Sequence, residues 1–227
     1  MKKLFILSVG GSLIAPDEPD TLYLKQLRAF LQQQTRRGHR FILVVGGGQT
    51  CRTYLKSARK LRKNAGEDFD WIGIRATRLN AELVRVALGS LAHPVIVDNP
   101  AKPPRFREKV LVAAGWKPGW STDYDSVLLA RKLGVEAIYN LTNVDYIYER
   151  DPKFFPRAKR FTQLTWRQYL RLLPRWKAGL HAPFDPVASR EAQHGQLTLH
   201  CVNGRKLPNL ARALEGKPFK GTTITPP

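Results

Sequence analysis

Three glycine-bearing segments, each directly after an apolar run, carry the residues whose types could do chemistry. They are Gly10-Gly11-Ser12, Gly46-Gly47-Gly48 and the stretch that opens at Gly115 and reaches Thr122. The second is the fullest. Five apolar residues, 41–45, precede it, and Arg52, Tyr54, Leu55, Ala58 and Leu61 follow at helical spacing. Strand, glycine turn and helix bring unpaired backbone N–H groups to one point, with about half a positive charge of helix dipole, and that suits an anion. Arg52, roughly one turn into the helix, can grip the same anion with a bidentate fork. A tight strand-to-helix turn also demands glycine for its backbone angles alone.

The third segment adds side chains. Lys117 supplies a charge, Ser121 and Thr122 supply hydroxyls at a helix start, and Trp116 and Trp120 supply flat surfaces for a base or for packing on the sheet edge. Asp70, at the start of a long amphipathic stretch, either caps that helix or accepts hydroxyls from a ligand. In a parallel sheet such loops gather at the carboxyl edge, where open α/β folds bind ligands. Three phosphate-friendly loops exceed what one phosphate needs. They suit a phosphorylated donor facing a phosphorylated acceptor, hence phosphoryl transfer, which relies on positioning and charge neutralisation. There is no Gly-x-x-x-x-Gly-Lys-Ser/Thr loop, no kinase-type His-Arg-Asp loop and no Gly-x-Ser-x-Gly turn. The five histidines lack metal-ligand spacing, so none is expected to bind a metal.

The elements that must hold these loops read as α/β. Buried strands are expected at 4–9, 41–45, 94–98, 110–114, 137–141 and 197–202, with a small closing strand at 221–224. Helices are expected around 22–31, 49–62, 70–88, 127–133, 166–173, 187–193 and 207–214. The opening β-α-β-α order predicts right-handed crossovers and a parallel sheet. There is no solenoid repeat and no clear linker, so residues 1–227 read as one unit, with two lobes meeting near residue 150.

Bulk properties bound the class. With 43% apolar and 25% charged residues the chain reads as globular, and no apolar run reaches the roughly 20 residues of a membrane helix. Two cysteines far apart suggest a reduced, cytoplasmic protein. The 38 basic against 18 acidic residues give a formal charge of +20. The cations are spread along the chain, so they read first as a solvated surface and only second as a nucleic-acid footprint.

Several stretches resemble the amino acid kinase family, and within it the short, archaeal-type UMP kinases. These are Val9-Gly10-Gly11-Ser12, Val44-Val45-Gly46-Gly47-Gly48-Gln49-Thr50-Cys51-Arg52-Thr53-Tyr54, Ile72-Gly73-Ile74-Arg75-Ala76-Thr77-Arg78-Leu79-Asn80-Ala81, Pro118-Gly119-Trp120-Ser121-Thr122-Asp123, Thr142-Asn143-Val144-Asp145-Tyr146-Ile147-Tyr148-Glu149-Arg150-Asp151-Pro152, Phe184-Asp185-Pro186-Val187-Ala188 and Gly221-Thr222-Thr223-Ile224. The resemblance spans nearly the whole chain in order. It implies a three-layer αβα sandwich around a mainly parallel sheet, carbamate kinase-like, usually hexameric. Its acceptor lobe would be roughly 1–135 and its ATP lobe roughly 136–227. It implies ATP + UMP giving ADP + UDP, with Mg²⁺ accompanying ATP, in pyrimidine nucleotide synthesis, without membrane or nucleic-acid partners.

Carried over, Gly10, Gly11, Ser12, Gly47, Thr142, Asn143, Tyr148 and Asp151 would bind ATP. Gly46, Asp70, Lys117, Pro118, Gly119, Trp120, Ser121, Thr122 and Asp123 would bind UMP. Arg52, Ser8 and Asp123 would act on the transferring group. Many relatives carry lysine where Ser8 stands, and Asp-Gly where Asp145-Tyr146 stands. Trp116, Lys117 and Trp120 are bulkier than usual, and no lysine aligns in the stretch from Arg175 to Asp185, where Lys177 is the nearest. Asn203-Gly204-Arg205 with Leu214-Glu215-Gly216-Lys217 also resembles aminomethylfuran phosphate kinases. A relative that binds nucleotide or nucleic acid with little catalysis is the remaining alternative.

Overall fold

The computed structural model describes residues 3–150, 152, 154–173 and 182–227. Asp151 and Lys177 lie outside the described residues. The first half runs β1 (Leu4–Val9), α1 (Gly11–Ile14), α2 (Thr21–Arg36), β2 (Arg40–Val45), α3 (Gly48–Leu61), α4 (Glu67–Leu88), β3 (Val110–Ala113) and α5 (Thr122–Leu133). The second half runs β4 (Ala137–Thr142), β5 (Ile147–Tyr148), β6 (Arg160–Phe161), β7 (Gln163–Thr165), α6 (Trp166–Leu172), α7 (Pro186–His194), β8 (Thr198–Asn203), α8 (Leu207–Leu214) and β9 (Gly221–Thr225).

Seven strands form one sheet in the order β3-β2-β1-β4-β8-β9-β7, and β5 pairs with β6 apart from it. Every neighbouring pair in the large sheet is parallel except β8 with β9. Alternation along the strands assigns the two faces. Phe5, Leu7, Val9, Phe41, Leu43 and Val45 pack with side chains of α1, α2, α4 and α8. Ile6, Ile42, Val44, Leu111 and Ile138 pack with α5, α6 and α7. This is a three-layer αβα sandwich, and the strands read as continuous apolar runs because both faces are covered.

Three expectations change. Residues 94–98 form no regular strand; the segment touches β3 through two single bridges, at Ala92 with Val110 and at Val97 with Ala113. Pro94 lacks the N–H a ladder needs, which confines this segment to the sheet margin. The Gly10-Gly11-Ser12 turn closes directly into the short helix α1. The helix expected at 70–88 starts at Glu67, so Asp70 lies inside its first turn and is no cap. The helix after β2 buries none of its residues and rides on α4, which is why its apolar spacing did not mark a core face.

Candidate active site

Strand order places the loops. Reading inward from the β3 edge, the sheet carries the loop after β3, the turn after β2, the turn after β1 and then the segment after β4. Chain order reverses between β1 and β4, the crevice where open α/β sheets hold ligands. Gly10 N–H donates to the Leu141 carbonyl at 3.0 Å across that reversal.

The two central turns touch backbone to backbone. A Cβ on Gly11 would stand 2.0 Å from the Gly48 nitrogen and 2.6 Å from the Gly46 carbonyl. Gly48 has φ of +60°, a left-handed conformation that glycine adopts freely. Gly46 N–H donates to the Val9 carbonyl at 3.0 Å, and Gln49 N–H to the Ala15 carbonyl at 3.1 Å. The buried Asn80 of α4 pins the second turn from behind, donating through Nδ2 to the Gly46 and Gly47 carbonyls at 2.9 and 3.0 Å. Arg52 spans both turns. Its Nε donates to Gln49 at 2.8 Å and its terminal nitrogen reaches the Ser12 hydroxyl at 3.4 Å. Among the described residues no acid forms an ion pair with it, so none of them compensates the guanidinium charge.

Asp123 lies beside these turns. It accepts from Ser8 Oγ at 3.1 Å and from Asp185 N–H at 3.0 Å. Ser8 is only 4% exposed, so its hydroxyl is committed to this bond. Asp185 in turn caps α7 by accepting from Val187 and Ala188 N–H. Burial pushes the Asp123 carboxyl up to about 7, with the Asp185 charge adding to it.

The loop after β3 is tied down at each end and in its middle. Thr77 Oγ1 accepts from Gly115 N–H at 2.8 Å, Asp125 Oδ2 from Trp116 N–H at 3.2 Å, and Asp70 Oδ2 from Gly119 N–H at 2.8 Å. Arg78 donates to the Gly115 and Trp116 carbonyls at 3.3 Å each and pairs with Asp98 at 3.4 Å. Lys117 Nζ stands 4.2 and 4.7 Å from the ring centroids of Trp116 and Trp120, and Tyr124 meets Trp120 edge-on at 3.9 Å. Ser121 caps α5, accepting from Tyr124 N–H at 3.2 Å, with Thr122 the first residue of the helix. Gly119, Trp120, Ser121, Tyr124, Asp185 and Val187 line a cavity of about 260 Å³ between the starts of α5 and α7.

On the β4 side, Thr142 ends its strand, its hydroxyl bonded to the Val144 carbonyl at 3.0 Å, and Asn143 is exposed. Tyr148 lies on the β5–β6 hairpin, 6.3 Å from Tyr146. Asp145 accepts from Asn203 and from Lys206, which holds its carboxyl below the usual range. Residues to which the sequence reading gave no role in the site are Thr77, Arg78, Asn80 and Asp185, which stand inside the quoted motifs, and Asp125, which does not. The available signal was polar residues on a stripe of α4 that also carries the buried Ala76, Ala81 and Val84.

The two raised carboxyls make a stability prediction. Burial also pushes Asp125 up to about 7. In an unfolded chain both groups titrate near 3.8. The folded protein therefore keeps these protons longer, and the stability they contribute falls as pH rises from about 4 to about 7, with the full penalty above that window. Asp125→Asn should melt about 2–4 °C above wild type at pH 8 and close to it at pH 4, read by calorimetry.

The family model described as "Amino acid kinase family" matches residues 3–203. The chain is 34% identical to a uridylate kinase of Methanoregula boonei over 218 residues, covering 93% of this chain and 91% of that one. It is 33% identical to a uridylate kinase of Thermococcus onnurineus, covering 97% and 99% of the two chains. The crystal structure of uridylate kinase from Archaeoglobus fulgidus superposes with a TM-score of 0.81 at 29% identity, covering 99% of this chain and all of that one. With its sheet order, its touching glycine turns and these likenesses together, the chain belongs to the amino acid kinase family.

Proposed function

We propose that this protein is a UMP kinase, which transfers the γ-phosphoryl group of ATP to the phosphate of UMP, giving ADP and UDP. The carrying observation is the backbone contact between the turns after β1 and β2, which leaves their free amides side by side with Arg52 across them. ATP takes the β1–β4 side, with Gly10, Gly11, Ser12 and Gly47 from the turns after β1 and β2, and Thr142, Asn143 and Tyr148 from a lobe of roughly 136–227. UMP takes the β3 side, with Gly46, Lys117, Pro118, Gly119, Trp120, Ser121, Thr122 and Asp123, in a lobe of roughly 1–135. The uridylate kinase relatives support this reading.

An ionised acceptor phosphate is already a nucleophile, so no general base is required. An acceptor oxygen bonds to the γ-phosphorus as the bond to the β,γ-bridging oxygen breaks, and ADP leaves with that electron pair. The amides and Arg52 neutralise charge on the equatorial oxygens. Asp123 positions Ser8 and the start of α7. Asp70 accepts from the UMP ribose, while its Oδ2 holds the Gly119 amide of the acceptor loop. Mg²⁺ arrives as part of the metal–ATP substrate; among the described residues no group of three or more His, Cys, Asp or Glu could hold a resident ion.

Asn203 and Arg205, shared in pattern with aminomethylfuran phosphate kinases, here bind Asp145 and Asp20 and so serve the fold. Exposed Tyr54 and Leu61 on α3, with Leu79 and Val86 on α4, support a homo-oligomer, a hexamer by family resemblance. Cys51 and Cys201 are free thiols, in keeping with a cytoplasmic location, and no described helix is long and apolar enough to cross a membrane. A coupled ADP-release assay with UMP, CMP, AMP and no acceptor tests the function. Turnover is expected with UMP at least about tenfold above the others, a discrimination set by groups that would otherwise stay unpaired. Equal rates with and without acceptor would overturn the assignment.

A further inference from the structure

Among the described residues, Asp125 is the one buried carboxylate that the phosphoryl-transfer scheme does not use. It is fully enclosed, in the first turns of α5. Its Oδ2 accepts from Trp116 N–H, while Oδ1 has no hydrogen-bond partner among the described residues. Two residues earlier, Asp123 points the other way, to Ser8 and Asp185. One helix turn therefore places a carboxylate at the transfer point and another beneath the acceptor loop.

We propose that Asp125 is a positioning residue for the acceptor: by holding the Trp116 amide it fixes the loop that grips the nucleotide, and its charge sets how tightly the loop is held. The proposal rests on the UMP reading of that loop. An ionised carboxylate accepts an amide hydrogen bond more strongly than a neutral acid does. Charging Asp125 tightens the loop, and protonating it loosens the loop.

The charged groups around Asp125 are few. Asp123, on its own helix, pushes its pKa up, and Arg78 from α4 lowers it. Arg78 is already engaged with Asp98 and two loop carbonyls, so it does not neutralise Asp125. Asp185 from α7 faces Asp123. With burial the largest influence, the carboxyl changes charge at about 7. Acceptor affinity contributed by Asp125 is then present above that pH and lost as pH falls below it.

Two measurements on the full chain test this. In wild type the Trp116 amide ¹H–¹⁵N shift should titrate with a midpoint near pH 7, and in Asp125→Asn it should stay flat. In steady-state kinetics the KM for UMP of Asp125→Asn should exceed that of wild type about tenfold at pH 8 and match it at pH 6, with kcat within about twofold. Comparing the two proteins cancels the ionisation of UMP itself. A pH-independent KM ratio, a fall in kcat at unchanged KM, or a Trp116 amide that does not move would overturn the proposal. Should UMP give no turnover, the functional reading fails, and the Trp116 titration decides this one alone: a midpoint near pH 7 that Asp125→Asn abolishes supports it, and a flat profile overturns it.

Discussion

Replacing Gly11 by alanine should lower kcat/KM for phosphoryl transfer by at least about 10²-fold, because a displacement of about 1 Å at the reacting centre costs that much. The added Cβ would stand 2.0 Å from the Gly48 nitrogen and 2.6 Å from the carbonyl carbon and oxygen of Gly46, all of them backbone. No side-chain rotation relieves such an overlap, so the turns after β1 and β2 must part. Overpacking of this kind also costs about 1–3 kcal/mol of stability. Gly73→Ala is the matched control. It lies within α4, and its Cβ would meet the Cys51 sulfur at 3.6 Å, an ordinary contact. That variant should be stabilised by about 0.5–1 kcal/mol through helix propensity and keep its activity. Turnover numbers and melting temperatures of the two variants separate lost alignment from lost folding. Near-normal kcat/KM in Gly11→Ala would mean that the turns need not touch for reaction.

The reason this contact was foreseeable, and others were not, lies in what each residue type reveals by itself. Runs such as 41–45 announce a strand covered on both faces, and glycines directly after them announce a turn that a Cβ would spoil. Both signals are local. Asn80 is different. Its role depends on two carbonyls more than 30 positions earlier in the chain, and in sequence it is one polar residue on an amphipathic helix. Asp125 lies just ahead of the helix expected at 127–133, where a carboxylate near a helix start is favoured by the dipole in any case. Only the return of the loop after β3 over α5 encloses it. Asp70 offered two local readings, a cap or a ligand acceptor; its place inside the first turn of α4 removes the cap, and its bond to the Gly119 amide across the loop had no local signal. The two-residue strands β5 and β6 lacked any period long enough to detect, and the antiparallel turn of β9 beside β8 is a property of the closed sheet. The pattern is consistent: backbone turns that meet at the carboxyl edge of the sheet were legible, and residues that hold the loops from behind were not.

Removal of the Arg52 guanidinium should give the second large effect. Arg52→Ala is expected to lower kcat/KM by about 10²–10³-fold, the range found for one preorganised donor to a developing anion. The side chain is exposed, and its described contacts are Gln49 and the Ser12 hydroxyl. Its loss should therefore change stability by no more than about 0.5 kcal/mol, and a lower rate cannot be assigned to unfolding. Ser8, near the end of β1, brings no charge to the site, and its hydroxyl is spent on Asp123. Arg52 then bears more of the neutralisation than it would beside a second cation. Arg52→Lys separates charge from shape: a lysine restores a positive point but loses the planar fork, so it should recover only part of the deficit. The division between constants shows where the side chain acts. A fall confined to kcat places its contact in the transition state, whereas a rise confined to KM makes it a holder of the ground-state phosphate. If neither constant moves in Arg52→Ala, the guanidinium across the two turns is not part of the reaction, and the amides alone must carry the charge.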